Sequence, residues 1–425
     1  MKNIDLKSAS FKDFENISGQ DVYATALEFK AYLHFLRENG HLNYRIESLS
    51  PVGPEMDLLL PGDHEPTRCV CLVSNDYLGF SQHPKVKAAV IDGVKRYGTG
   101  SGASPAIGGH FIYHRQLEKK IAEFYRQTDA ILYTTGYTAN SATLQCLLHK
   151  SDIAIIDMAV HASVREGCLT TNTKTFLHND LKMLEQVLKA SQHAYQTKMV
   201  VIDGVYSQDG DLAVMDKIAG LTHQYGAYLV VDDAHGIGVI GNTGRGVIEM
   251  YNLFDKVDII TGTFSKALGN IGGYVVATPE IINYLKYQSK QHLFSTTATP
   301  AIMGIIKAIE LIDEEPEWQA KLWENIIYIK TGLIGLGFDV GNTASAVIPV
   351  KVGEIAKTLE AGRLLLKEGI YTNPIMFPAV SVKDSRIRLN IMASHTKSQL
   401  DKVLNAFAVI DQKLNISKGI VRSNI

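Results

Sequence analysis

The sequence predicts an α/β protein built on a large, mostly parallel sheet, with a smaller α+β domain at the C-terminal end. Three observations carry that reading. Short, β-branched apolar runs alternate with helical periods through the middle of the chain. Those runs are near-continuously apolar, as strands covered by helices on both faces must be. After about residue 300 the texture changes to long helical stretches and shorter β-like runs.

Taken in order, a helix-like segment covers about residues 21–39. AILYTTGY (130–137) then leads into the helical TANSATLQCLL, and IAIIDMAVHAS (153–163) follows. Next come the helical HNDLKMLEQVLKAS, the run MVVIDGVYSQDGD (199–211), the helical MDKIAGLTHQYG, and AYLVVDDAHGIGVIG (227–241). VDIITGTFSKALG (257–269) and GGYVVATP (272–279) close the series. A long helical stretch, TPAIMGIIKAIELIDEEPEWQAKLWENIIYIKTGLIGLG, precedes SAVIPVKVG, SRIRLNIMAS and the terminal helix KSQLDKVLNAFAVIDQKL. The expected division is an N-terminal helical segment over 1–65, a large α/β domain over 66–300 and a small α+β domain over 301–425.

Composition narrows the function. Of 425 residues 46% are hydrophobic and 20% charged, so most of the chain folds around a sizeable core. Lys+Arg 42 against Asp+Glu 44 leaves a formal charge of -2, which gives no electrostatic reason to expect nucleic acid as a partner. Cys69, Cys71, Cys146 and Cys168 are too few for a disulfide scaffold, and Cys69 and Cys71 lack C-x-x-C spacing, so reduced thiols and no metal site are expected. No leader-like apolar run opens the chain and no stretch reaches 18 apolar residues. A cytoplasmic protein without a transmembrane segment is expected.

Gly236, Gly238 and Gly241 spell G-x-G-x-x-G after an apolar run. A dinucleotide fingerprint should open a helix at that point, whereas more turn residues follow here, so a nicotinamide site is not expected. The informative constellation is Asp232-Asp233-Ala234-His235, followed about thirty residues later by Thr263-Phe264-Ser265-Lys266. A lysine amid small residues at a strand end has a confined amine, and desolvation frees such an amine for imine chemistry. An aspartate at a neighbouring strand end suits a protonated pyridine nitrogen, and hydroxyls at Thr263 and Ser265 suit a phosphate. In open α/β sheets such groups gather at the strand ends.

Together VDDAHGIG, TFSKALG, TTGYTAN, VHAS, DGVYSQDGD and SNDYLGF resemble the α-oxoamine synthase family over about residues 70 to 405, in the family's order. The resemblance implies a fold-type-I transferase that uses pyridoxal 5′-phosphate (PLP). Carried over, Lys266 would anchor the coenzyme covalently and later move the substrate's α-proton. Asp232 would pair with the pyridine nitrogen, His235 would bond the phenolic oxygen and Ser207 would lie near the ring. His161 would stack on the ring face. The backbone N–H groups of Gly136 and Tyr137 would hold the phosphate with Thr263 and Ser265. Arg388, in SRIRLNIMASHT (385–396), would grip the substrate carboxylate, with Arg386 expected on the other side of its strand. His178 and Cys168 are expected to be structural.

The implied reaction is a decarboxylative condensation of an amino acid with an acyl-CoA or acyl-carrier-protein thioester. Family members are homodimers, and FSTTATP (294–300) is expected to cross, with Thr296 or Thr297 reaching the partner's phosphate. The stretch GIYTNPIMFPAV (369–380) is similar to the sphingolipid-forming branch, and an arginine that tends to fall near Asn373 in the oxononanoate-forming branch is absent. Serine is therefore the first expected amino acid, with glycine, alanine and cysteate open. GTGSGASPAIGGHFIYHRQLE (98–118) departs from the family pattern near the thioester entrance: His114 matches the loop's histidine, while the loop's arginine is missing. Two other readings compete: a different fold-type-I activity, such as an aminotransferase or aldolase, and a non-enzymatic sensor or scaffold.

Overall fold

The computed structural model describes residues 4–6 and 9–419. Along the chain come β1 (Glu47–Ser48), β2 (Glu55–Leu59) and β3 (Thr67–Cys71). They are followed by β4 (Asp129–Tyr133), β5 (Ile153–Asp157), β6 (Asn172–Phe176) and β7 (Lys198–Asp203). Next are β8 (Tyr228–Asp232), β9 (Ile259–Thr263) and β10 (Gly273–Ala277). β11 (Val347–Lys351), β12 (Ile370–Tyr371), β13 (Asn373–Ile375) and β14 (Arg386–Asn390) complete the series. The residues divide into two compact units: a larger one of Asn75–Trp323 with Ala344–Ala346, and a smaller one of Met1–Ser74, Glu324–Thr343 and Val347–Ile425.

The larger unit holds a seven-stranded sheet in the order β4-β10-β9-β8-β7-β5-β6. From β9 through β8, β7 and β5 to β6 all pairings are parallel, and β10 runs antiparallel to both β9 and β4. Every residue of β5, β7, β9 and β10 is buried, which explains why these strands read as unbroken apolar runs. Helix Gly136–Leu147 shares a core with Ile131, Val201, Val230 and Val275 through its small residues Ala139 and Ala142. Each larger aliphatic side chain buried there contributes about 1.5–3 kcal/mol. In register, Asp203 at the end of β7 faces Asp232 at the end of β8, and Asp232 faces Thr261 in β9. The polar strand ends seen in the sequence therefore lie side by side.

The glycines of the G-x-G-x-x-G have a packing cause. A Cβ at Gly236 would lie 2.0 Å from the Asp233 carboxyl, and Gly238 and Gly241 take left-handed φ values of +73° and +89°. The next helix, Gly246–Met250, is only five residues long, so no long helix N-terminus receives a pyrophosphate here.

In the smaller unit the sheet orders are β1-β2-β3-β12 and β11-β14-β13. Within 1–65, expected to be helical, it contains β1 and β2 besides helix Val22–Glu38, which Asp21 caps. Parallel pairing of β3 with β12 groups this part with the C-terminal residues. Phe14 stacks on Tyr32 at 4.9 Å in a small core with Ala9 and Leu36. The long helical stretch after 300 forms two helices, Met303–Glu314 and Glu317–Gly335, separated by Glu315 and Pro316. Proline cannot continue a helix, because it lacks the donor and its ring clashes with the preceding turn.

Candidate active site

At the C-terminal ends of β7, β8 and β9 the larger unit encloses a cavity of about 240 Å³. Lys266, Asp232, His161 and His235 all line it. So do Gly136, Tyr137, Ser207, Thr263 and Ser265. Residues spread over 130 positions of sequence converge because parallel strands deliver their C-terminal ends to one edge of the sheet.

The two aspartates of DDAH separate cleanly. Asp232, the last residue of β8, points into the cavity; its Oδ1 accepts the Ala234 N–H at 3.0 Å and its Oδ2 accepts from Asn140 Nδ2 at 2.6 Å. Asp233 is fully buried elsewhere, accepting from the Tyr125 hydroxyl and the Val247 N–H, both at 3.3 Å. Successive side chains leaving a strand point to opposite sides. Burial pushes the Asp233 carboxyl up to about 8. Asp203, in register with Asp232, accepts the His161 backbone N–H at 3.2 Å, and burial, with the Asp232 charge adding to it, pushes its carboxyl well above the ordinary range.

His161 caps helix Ala162–Gly167, with its Nδ1 2.8 Å from the Ser163 hydroxyl. Its side chain is accessible along the wall of the cavity. Desolvation lowers its pKa, Lys266 pushes the same way, and Asp232 opposes both. His235 is buried, and its Nδ1 lies 2.7 Å from the hydroxyl of Tyr77, which fixes the ring.

A phosphate cradle is recognisable at helix Gly136–Leu147. Thr135 caps it by accepting the Thr138 N–H at 3.0 Å, and the first i→i−4 bond starts only at Ala139. The Gly136 and Tyr137 N–H groups thus have no intrahelical acceptor and suit an anion. Residue 136 must be glycine, since a Cβ would meet that of Thr263 at 2.5 Å. The Thr263 hydroxyl donates to the Gly272 carbonyl at 3.0 Å and sits 2.7 Å from the Ser265 hydroxyl. An amine, a carboxylate at the floor, two histidines and a hydroxyl-lined helix N-terminus make a donor set that fits PLP.

Thr296 and Arg388 are not among the residues that line the cavity, and Arg386 alone departs from its expected place. Thr296 is exposed and outside the cavity lining. Its neighbour Thr297 lies with its hydroxyl 3.2 Å from His114 Nε2, which also bonds the Ala298 carbonyl at 2.7 Å. The 98–118 loop histidine and the FSTTATP segment therefore meet within one chain, and burial lowers His114 to about 4. Arg388 belongs to β14 in the smaller unit, where it is 9% exposed. Arg386 does not face the other side: the β11–β14 register is regular, and residues two apart in a strand share a face. Arg386 is fully buried and bonds the Asp384 backbone carbonyl at 2.9 Å and its carboxylate.

His178 is bracketed by Asp157 at 3.1 Å and Asp211 at 2.8 Å, away from the cavity lining, and Cys168 is a buried core residue. Sequence reasoning missed Asn140, Asp203 and Tyr77. All three stand inside the motifs TTGYTAN, DGVYSQDGD and SNDYLGF, and for Asn140 and Asp203 the polar character within otherwise buried elements is the signal. Tyr77 meets His235 across 158 positions, which no local pattern announces.

The fold and the cavity define a fold-type-I PLP-dependent enzyme. The aminotransferase class I and II family matches residues 67–407. The 8-amino-7-oxononanoate synthase of Alkaliphilus metalliredigens (strain QYMF) is 39% identical over 368 residues, 86% of this chain and 92% of its own length. The enzyme of the same name from Thermoanaerobacter pseudethanolicus is 40% identical over 348 residues, 81% of this chain and 88% of its own. Among solved structures, Sphingomonas wittichii serine palmitoyltransferase superposes with a TM-score of 0.87 at 28% identity, covering 93% of this chain and 100% of that one. Serine palmitoyltransferase of S. paucimobilis with a bound PLP–myriocin aldimine gives 0.88 at 27% identity, with the same coverage. The chain belongs to the aminotransferase class I and II family and, within it, to the α-oxoamine synthases, PLP-dependent C-acyltransferases. Among the described residues no helix is long and apolar enough to cross a membrane.

Proposed function

We propose that the chain joins serine to a fatty-acyl thioester, with loss of CO₂, to give an α-oxoamine of the sphingolipid type. The observation that carries the chemistry is the convergence of Lys266, Asp232, His161 and His235 on one cavity at the strand ends. When bound there, PLP supplies an electron sink for the pair left at the substrate's α-carbon. Lys266 anchors the coenzyme and shuttles the α-proton on its Nζ. Asp232 holds the proton on the pyridine nitrogen, His235 steadies the phenolic oxygen and Ser207 flanks the ring. His161 covers the ring face and stabilises charge developing on the thioester carbonyl. Gly136, Tyr137, Thr263 and Ser265 hold the phosphate, aided by Thr296 of a second copy in a homodimer, and Arg388 grips the amino-acid carboxylate.

The balance is simple. A carbon–carbon bond forms between the α-carbon and the acyl carbonyl, the carbon–sulfur bond breaks, the carboxyl leaves as CO₂, and the thiol departs with a proton. The carrier is CoA or acyl-carrier protein, and the enzyme works in the cytoplasm.

Support for serine comes from the GIYTNPIMFPAV stretch and the superposition on serine palmitoyltransferases. Relatives at 37–40% identity named 8-amino-7-oxononanoate synthase favour a second reading in which another amino acid takes the same path. Adding serine, alanine, glycine or cysteate to the coenzyme-loaded enzyme and following its absorbance, then weighing products from a panel of thioesters, decides between them. Serine should perturb the spectrum and give the product. Turnover of alanine alone overturns the serine assignment, and amino-group transfer without thiol release overturns the acyltransferase reading.

A further inference from the structure

We propose that Asn140 is a positioning residue: it ties the Asp232 carboxylate to the His161 imidazole and sets that ring in its Nε2–H tautomer. The proposal deepens the reading of this cavity as the PLP site and rests on it.

Asn140 projects from helix Gly136–Leu147 and is 4% exposed. Its amide offers one acceptor and two donors. The Asp232 carboxylate only accepts, which identifies the amide end facing it as Nδ2, and Oδ1 then accepts from the Thr261 hydroxyl at 2.5 Å. Nδ2 then gives one hydrogen to Asp232 Oδ2 at 2.6 Å and the other to Ser163 Oγ at 2.9 Å. Having accepted, the buried Ser163 hydroxyl has its own hydrogen to give, and His161 Nδ1 stands 2.8 Å away. The Ser163 backbone N–H points at the same nitrogen from 3.3 Å. A ring nitrogen that receives two donors carries no proton, so the neutral ring keeps its hydrogen on Nε2.

Every bond in this chain has one direction, and Asn140 is its source. Aspartate, nearly the same shape, reverses it. A carboxylate at 140 has nothing to donate, repels Asp232 across 2.6 Å and draws the Ser163 hydroxyl toward itself. His161 must then donate from Nδ1 to Ser163, giving up the longer backbone bond at 3.3 Å, and gains affinity for a second proton. The charged or titratable groups that face His161 are Asp232 and Lys266, with the Tyr137 ring 5.9 Å away and Asp203 holding the backbone N–H. A merely structural asparagine would leave the tautomer unmoved.

Histidine ¹⁵N shifts report the tautomer directly, with the His161 signals assigned by their loss in His161→Gln. The full chain is measured with and without PLP, beside Asn140→Asp, Asn140→Leu and Ser163→Ala. The expected wild-type ring is Nε2–H in both states. Asn140→Asp should convert it to Nδ1–H and raise its pKa by about one unit, tenfold in proton affinity. Ser163→Ala, which leaves the Asn140–Asp232 bond in place and only the Ser163 backbone N–H at 3.3 Å on Nδ1, should weaken the tautomer preference, and it carries the test if the Asn140 variants do not fold. An Nδ1–H ring in the wild type, an unchanged tautomer in Asn140→Asp, or an Nε2–H fraction in Ser163→Ala equal to that of the wild type overturns the proposal. Failure of the wild type to take up PLP overturns the site reading instead, and the coenzyme-free spectra still decide the role of Asn140.

Discussion

Replacing Asp233 by asparagine should flatten the pH dependence of stability. The carboxyl is fully buried, hemmed by Gly236 and Gly246, where an added Cβ would lie 2.0 and 1.6 Å from it. Burial lifts it from 3.8 in the free group to about 8. Between those limits the folded protein holds a proton that the unfolded chain has released, so stability falls as pH rises from about 4 to about 8. Each pH unit in that window costs about 1.4 kcal/mol, so moving from pH 5 to pH 7 costs the wild type about 3 kcal/mol through this one group. Asparagine has the shape of the protonated acid and no titration. Urea unfolding of the coenzyme-free protein, followed by the fluorescence of Trp318 and Trp323 in the same unit, measures the effect at both pH values. The comparison is the change in wild type minus the change in Asp233→Asn, which cancels every other titrating group. A difference of about 3 kcal/mol in the stated direction is expected. A difference within about 0.5 kcal/mol refutes the reasoning, because the buried acid would then titrate as it does in water.

Other outcomes follow from the same geometry. Lys266→Ala should bind PLP without a covalent link and form no product; turnover at the wild-type rate contradicts the role of that amine. Gly136→Ala forces a Cβ to 2.5 Å from that of Thr263, an overpacking of about 1–3 kcal/mol. PLP affinity, read by equilibrium dialysis, should fall about tenfold to a hundredfold. For His178, burial works against the charge, but its hydrogen bonds to Asp157 and Asp211 outweigh it and raise the ring to about 10. That stabilisation is complete below pH 6.5 and disappears as pH rises through about 10. His178→Gln should therefore cost about 3 kcal/mol at pH 6 and progressively less toward pH 10.5 in chemical denaturation.

Much of this architecture is legible in residue order because parallel strands buried on both faces must be apolar throughout. Runs such as MVVID and AYLVVD leave little else for β7 and β8 to be. β6 escaped notice for the converse reason: at the sheet's edge, Asn172 to Thr175 are exposed and only Phe176 is buried, so no hydrophobic pattern marks it. The antiparallel direction of β10 is set by pairing partners, which a single run does not encode.

In the cavity, lysine and aspartate were readable from type and position, since few roles suit an amine amid small residues at a strand end. Asn140 and Tyr77 were not, because their meaning lies in partners 92 and 158 positions away. The motif alone singles out Asp232 over Asp233, and the opposite pointing of the two at a strand end, which puts only Asp232 in the cavity lining, is visible in the structure. The reverse happened at Arg386 and Arg388, where the period of a strand already places both on one face.

The most direct test of the account combines one enzyme, one acyl thioester and one amino acid and counts what leaves. With PLP and serine present, free thiol and CO₂ should appear in equal amounts, alongside a product whose mass equals the sum of the two substrates less those two. Thiol release without CO₂, or a keto acid formed with no thioester present, would contradict it.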